Sequence, residues 1–254
     1  MPVLPGAEPY HHSGGSVGAL LCHGFTGSPY SMRPWAEYLA AAGLTVALPR
    51  LPGHGTDWRD MNLTTWDDWY TAVDREFGEL RERCEQVFVM GLSMGGTLAL
   101  RVAQRHGAAV TGVVVVNPSV QSADPRLRAL PLLHRFVPSL AAIGDDIRKP
   151  GVSEMAYSRT PLRALESLRR AWLMVSHDLP RVTQPLLLLR SYTDHVVEPE
   201  SSRQVLARVS SRDLTEIVLH DSYHVATLDH DAPRIFAASL DFVNRLRAPA
   251  VERQ

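Results

Sequence analysis

The sequence predicts an α/β fold: a mostly parallel, doubly wound sheet with helices on both faces and an inserted cap. Three observations carry that expectation. Short apolar runs alternate with longer amphipathic ones, the apolar runs are almost unbroken, and the alternation stops once, for about sixty residues near the middle. At 254 residues, with 45% hydrophobic and 21% charged side chains, the chain can bury a substantial core as one domain and shows no disordered or fibrous bias.

The runs at 18–22 (GALLC), 45–48 (TVAL), 86–90 (QVFVM), 112–116 (GVVVV), 185–189 (PLLLL) and 216–220 (EIVLH) read as strands. Their near-continuous apolarity points to a parallel sheet buried on both faces. The clearest helix covers 66–83, where Trp66, Trp69, Tyr70, Val73, Phe77 and Leu80 share one face. Thr65 with Asp68 three residues on supplies a capping-box start. An earlier helix, through Trp35 and Leu39, stops at Gly43, which is free to take the left-handed conformation past a helix end.

The break falls at 119–183. It carries Leu127, Leu130, Leu132, Leu133, Phe136, Ile143, Ile147 and Met155 among many arginines. Its last part looks helical, with Thr160 as cap, Pro161 in the first turn, and Leu162, Leu165, Leu168 and Trp172 at helical spacing. It reads as a cap inserted between two pieces of core, 1–118 and 184–254. A further strand and helix of the main sheet is the plainer alternative. Residues 247–254 read as a solvated tail.

Several function classes are disfavoured early. Twenty-six basic against 27 acidic residues, net charge −1, leave no electrostatic footprint for nucleic acid. Cys22 and Cys84 lie far apart, outside any CxxC pair, and read as buried free thiols. The N-terminal stretch lacks the pattern of a secretory signal, and no apolar run approaches membrane-spanning length. The expectation is a cytoplasmic protein without stable membrane insertion.

Gly91-Leu92-Ser93-Met94-Gly95 fits G-x-S-x-G, with a predicted strand before it and a helical run after it. Reversing direction in so few residues forces the serine into a rare backbone conformation, and the flanking glycines relieve the crowding. Ser93 is therefore the candidate nucleophile, set at a helix N-terminus that favours an oxyanion. A glycine-rich turn whose serine only caps a helix is the bland alternative. A serine hydroxyl needs an adjacent base, and in such sites the partners follow in the order Ser, Asp or Glu, His. Asp194 follows the 185–189 strand and His224 follows the 216–220 strand, so both leave the carboxyl ends of parallel strands, as Ser93 does. Asp221, Asp229, His195, His220 and His230 are nearby rivals; surface histidine is the expectation for the last three. His23-Gly24-Phe25 follows the first clear strand. The backbone N–H groups of Phe25 and Met94 are the candidate oxyanion donors. His23 has no second metal ligand at a useful spacing and, like His54, reads as a structural histidine; no metal or cofactor is expected.

Together these residues resemble the bacterial monoacylglycerol lipases and related small carboxylesterases of the α/β-hydrolase superfamily. The likeness rests on residues 23–56 (HGFTGSPYSMRPWAEYLAAAGLTVALPRLPGHGT), 90–100 (MGLSMGGTLAL), 193–199 (TDHVVEP) and 221–231 (DSYHVATLDHD). It weakens in the cap, although 143–161 (IGDDIRKPGVSEMAYSRTP) still looks family-like. The resemblance implies Ser93, Asp194 and His224 as a catalytic triad, Phe25 and Met94 as oxyanion donors, and a small, lipid-derived ester as substrate. Within the cap, Ile143 and Glu154 are candidate substrate contacts. Glu154 is placed to hydrogen-bond glycerol hydroxyls, with a solvated carboxylate as the plain alternative. The apolar cap residues, Phe136 included, suggest an acyl pocket. Two other functions stay open at this point: an esterase for small non-lipid esters, and a ligand receptor on an inactive hydrolase fold.

Overall fold

The computed structural model describes residues 1–142 and 144–247. In chain order the elements are β1 (Tyr10–His12), β2 (Val17–Cys22), α1 (Arg33–Ala41), β3 (Thr45–Leu48), α2 (Trp58–Met61), α3 (Trp66–Arg83), β4 (Gln86–Leu92), α4 (Met94–His106) and β5 (Gly112–Val116). There follow α5 (Leu130–Leu133), β6 (Ser139–Ala141), β7 (Arg159–Pro161), α6 (Leu162–His177), β8 (Leu186–Ser191), α7 (Pro199–Arg208), β9 (Leu214–Leu219) and α8 (Ala232–Leu246).

Seven strands form one sheet in the order β1-β3-β2-β4-β5-β8-β9, parallel throughout except for β1. Helices cover both faces, because every central strand is apolar on both sides. Trp35, Ala36 and Leu39 of α1 and Ile235, Phe236 and Val243 of α8 fill one face. Val73 and Phe77 of α3, Leu98 and Val102 of α4, and Leu168 and Val175 of α6 fill the other. The doubly wound class predicted from the sequence is thus observed. The chain runs from β2 outward to β3, then back across to β4, so the sheet reverses its winding between β2 and β4. A crevice opens at the carboxyl ends of such a pair.

Local chemistry sets the boundaries. The α3 helix spans the expected 66–83, and its capping box forms, with the Thr65 N–H donating to Asp68 at 2.8 Å. Gly43 takes φ +88° just past α1. Cys22 and Cys84 are buried free thiols. One expectation fails: β9 is not buried on both faces. It lies at the sheet edge with Leu214, Thr215 and Glu216 exposed, and Glu216 pairs with Arg190 of β8 at 2.5 Å. An edge strand needs only one apolar face, and charged side chains on such a strand deter pairing with another chain.

Between β5 and β8, the two-stranded antiparallel sheet of β6 and β7 stands apart from the main sheet, while α6 returns to pack on α3 and α4. Among the described residues no helix is long and apolar enough to cross a membrane. The expected tail residues 248–254 lie outside the described residues, as does Ile143.

Candidate active site

Ser93 joins β4 to α4 with φ 57° and ψ −120°, a backbone that L side chains rarely adopt. The surrounding glycines make the turn possible. A Cβ on Gly91 would lie 2.1 Å from the Gly95 carbonyl oxygen, and one on Gly95 would lie 1.9 Å from that of Cys22. Strand end and helix start therefore touch backbone to backbone, which no larger residue permits. The turn is fastened to the next strand, since the Ser93 N–H donates to the Val116 carbonyl at 2.9 Å. Ser93 lines a cavity of about 320 Å³ together with His224, Phe25 and Glu154.

The candidate acid and base meet. His224 Nδ1 lies 2.8 Å from Asp194 Oδ2, and both side chains are more than nine-tenths buried. Oδ1 of Asp194 accepts the N–H groups of Val196 (2.9 Å) and Val197 (2.8 Å). With a carboxylate on Nδ1, the imidazole keeps its proton there and leaves Nε2 free to accept one. Burial pushes the His224 imidazolium to lose its proton. The charge and hydrogen bond of Asp194, aided by the charges of Glu154 and Asp146, outweigh this and hold its pKa above the usual imidazole range. Burial pushes Asp194 up, but His224 and the two N–H donors hold it below the usual carboxylate range.

His195, His220 and His230 stay out of the cavity lining. His220 is exposed and stacks on Tyr192 at 5.5 Å. His195 is exposed, as expected of a surface histidine, and its Nδ1 sits 2.7 Å from Asp146 Oδ1.

Met94 opens α4, so its N–H is one of the first-turn donors the helix itself leaves unpaired. The turn that carries Phe25 is braced from below. His23 Nδ1 donates to the Gly24 carbonyl at 3.0 Å, and Nε2 accepts the Leu51 N–H at 3.2 Å. Burial lowers the His23 pKa to about 4, so the ring stays neutral and holds both bonds. His54 packs edge-on against it at 5.0 Å.

Leu127, Leu130, Leu133, Leu140, Leu162, Leu165, Leu168 and Trp172 give the cavity an apolar wall. Phe136 does not belong to it, contrary to expectation: it is 81% exposed, and Leu132 is 65% exposed. Within the short α5, Leu130 and Leu133 share one side of a single turn while Leu132 falls on the other; Phe136 lies in the turn beyond the helix. Glu154 lines the cavity, and burial raises its pKa above the usual carboxylate range.

Two residues that the sequence did not single out, Asn117 and Asp146, and one that it offered only as a rival acid, Asp229, organise the site. Asn117, with φ 45°, donates from Nδ2 to the His224 carbonyl at 2.8 Å and to Ser191 Oγ at 3.0 Å. Asp229 is buried and accepts N–H groups from Arg148, Lys149, Tyr223 and His230. Asp146 bridges His195 and His224. Their signal was faint: an asparagine one residue past a valine run, and acids in loops otherwise read as rivals or surface.

A parallel sheet whose winding reverses beside a strained serine defines this fold as an α/β hydrolase. A family model described as Serine aminopeptidase, S33 matches residues 18–231, and the chain belongs to that family. It is 45% identical over 242 residues to a thermostable monoacylglycerol lipase of Bacillus sp. (strain H-257), covering 95% of this chain and 96% of the relative. It is 24% identical to a carboxylesterase of Bacillus subtilis (strain 168), covering 94% and 97% respectively. A solved structure reported for the metagenome-derived lipolytic enzymes LipS and LipT superposes with a TM-score of 0.94 at 40% identity, covering 96% of this chain and all of that one.

Proposed function

We propose that the protein is a serine-dependent carboxylic ester hydrolase that cleaves monoacylglycerols through an acyl-enzyme. The observation that carries this reading is a single cavity lined by Ser93, by His224 hydrogen-bonded to Asp194, and by a wall of leucines. In the proposed mechanism His224 takes the Ser93 proton as Oγ attacks the ester carbonyl. The N–H groups of Phe25 and Met94 receive the oxyanion, and His224 returns the proton to the leaving alcohol. Water, activated by the same histidine, then releases the acid. Asp194 holds the tautomer and stabilises the imidazolium.

Substrate class follows from size and wall chemistry. About 320 Å³ stands at the small end of ligand-pocket volumes, with room for one acyl chain and a compact alcohol. Of residues 119–183, the part before α6 serves as the cap in this reading, with Leu130 and Leu133 of α5 and Leu140 of β6 facing the chain and Glu154 facing the glycerol hydroxyls. The 45% identical monoacylglycerol lipase supports the same substrate. The test is a set of initial rates on mono-, di- and triacylglycerols, on 4-nitrophenyl esters of graded length, and on aminoacyl 4-nitroanilides. Monoacylglycerols should be cleaved much faster than triacylglycerols, and the anilides hardly at all. Equal rates on mono- and triacylglycerol overturn the enclosed-site reading, and a preference for acetyl over medium-chain esters favours a small-ester esterase.

A further inference from the structure

The connection between β6 and β7 supplies part of the cavity lining through Asp146 and Glu154. It is also fastened to the loops that carry the candidate acid and base. Asp146 Oδ2 accepts the main-chain N–H of His195 and that of His224, each at 3.1 Å. Its Oδ1 meets His195 Nδ1 at 2.7 Å, and its own carbonyl accepts the Val225 N–H at 3.1 Å. Its side chain is only 10% exposed. Arg148, two residues beyond Asp146, and Lys149 are held in turn by Asp229 of the histidine loop, which takes their N–H groups (2.7 and 3.0 Å) as well as that of Tyr223 (2.9 Å). The covering connection and the histidine loop thus exchange buried carboxylates, each satisfied by backbone donors of the other.

Such an arrangement does more than seal a lid. A carboxylate that accepts two N–H groups fixes the distance between them, and here those groups belong to the residue after Asp194 and to His224 itself. We propose that Asp146 is a positioning residue for the base, so that docking of the β6–β7 connection over the cavity and alignment of His224 with Asp194 are one event. The proposal rests on the Ser93–Asp194–His224 reading of the site. Asp146 also adds a charge near the imidazole: the carboxylates facing His224 are Asp194, from the loop after β8, and Glu154 and Asp146, from the β6–β7 connection.

Two substitutions separate geometry from charge. Asp146→Ala removes the bridge, and misalignment of this kind is worth about 100-fold in rate; kcat on a short 4-nitrophenyl ester should fall by that order with KM little changed. Asp146→Asn keeps the shape: its amide oxygen can take both N–H groups, and its NH₂ can donate to a neutral His195 Nδ1. It should recover most of kcat at alkaline pH while the acid limb of kcat/KM moves to lower pH, because one negative charge beside His224 is gone. Labelling of Ser93 by a small organophosphonate should rank wild type, Asn and Ala in the same order. Melting temperatures are measured throughout, and if the Ala variant does not fold, the midpoint in the Asn variant decides. A near-normal kcat in Asp146→Ala, or an Asn variant as slow as Ala with the wild-type midpoint, overturns the proposal. Activity retained in Ser93→Ala or His224→Ala defeats the reading of the site itself, and the proposal with it; loss in both with a healthy Asp146→Ala defeats this proposal alone.

Discussion

Ser93 and His224 are ordinary side chains placed under two constraints, one of backbone and one of charge. The serine is held at φ 57° by glycines that admit no Cβ. The histidine is buried yet held in favour of its charged form by Asp194. The sign for activity follows directly. As the proposed general base His224 works only when neutral, so kcat/KM should rise with pH through one ionisation, centred above the usual imidazole range. Asp194→Asn should lower the rate by orders of magnitude and move that ionisation down, since the largest charge favouring the imidazolium is removed. His224→Ala should be far more damaging than His195→Ala, His220→Ala or His230→Ala on the same ester. A dead His230 variant would contradict the geometry. Much of this was legible in the chain, because Ser93, Asp194 and His224 each follow a recognisable apolar strand. The role of Asn117 was not, because its partners, Ser191 and the His224 carbonyl, are more than 70 residues away.

At the scale of elements, the elbow is a contact between β2, β4 and α4. In the register of the sheet Cys22 stands opposite Gly91, which brings the Cys22 carbonyl under Gly95. Gly95→Ala would put a methyl 1.9 Å from that oxygen, and backbone on both sides cannot yield easily. The expected cost is about 1–3 kcal/mol of stability, with a larger loss of activity because Ser93 shifts with the turn. Gly78→Ala is the matched control. It lies within α3 with nothing inside 4 Å of the new Cβ, so it should gain about 0.4–1 kcal/mol and leave kcat alone. Paired melting curves and ester rates check both. Long elements could be read locally: α3 carries its own cap and stripe. The three-residue strands β1, β6 and β7 could not, since so short a strand is created by its partner and carries no period of its own.

Across the whole molecule, burial couples folding to pH. His23 and His54 lie fully buried in the turns after β2 and β3, and burial holds both well below the usual imidazole range, His23 at about 4. The unfolded chain binds those protons near neutrality and the folded chain only in acid. Their stabilising effect is therefore complete above the ordinary imidazole value and is lost as pH falls towards 4. For His23 the difference is on the order of 3 kcal/mol. Chemical denaturation between pH 7 and pH 4 should show a steep loss of stability, and His23→Gln should flatten it while lowering stability at pH 7. An unchanged slope in that variant would sink the assignment.

The sequence by itself determined the layered class, the place and order of Ser93, Asp194 and His224, and the most clearly periodic helix. These are properties of short stretches: apolar period, glycine spacing and capping chemistry act within a few residues. Only the tertiary structure decided which cap residues line the cavity, that Phe136 turns to solvent, and that β9 is an edge. It alone brought Asp146, Asp229 and Asn117 against the histidine loop. A buried carboxylate satisfied by backbone N–H groups has no sequence pattern, because every residue except proline can donate an N–H. What identifies its partners is the path of the chain, and that is settled only when the sheet and the segments above it have packed.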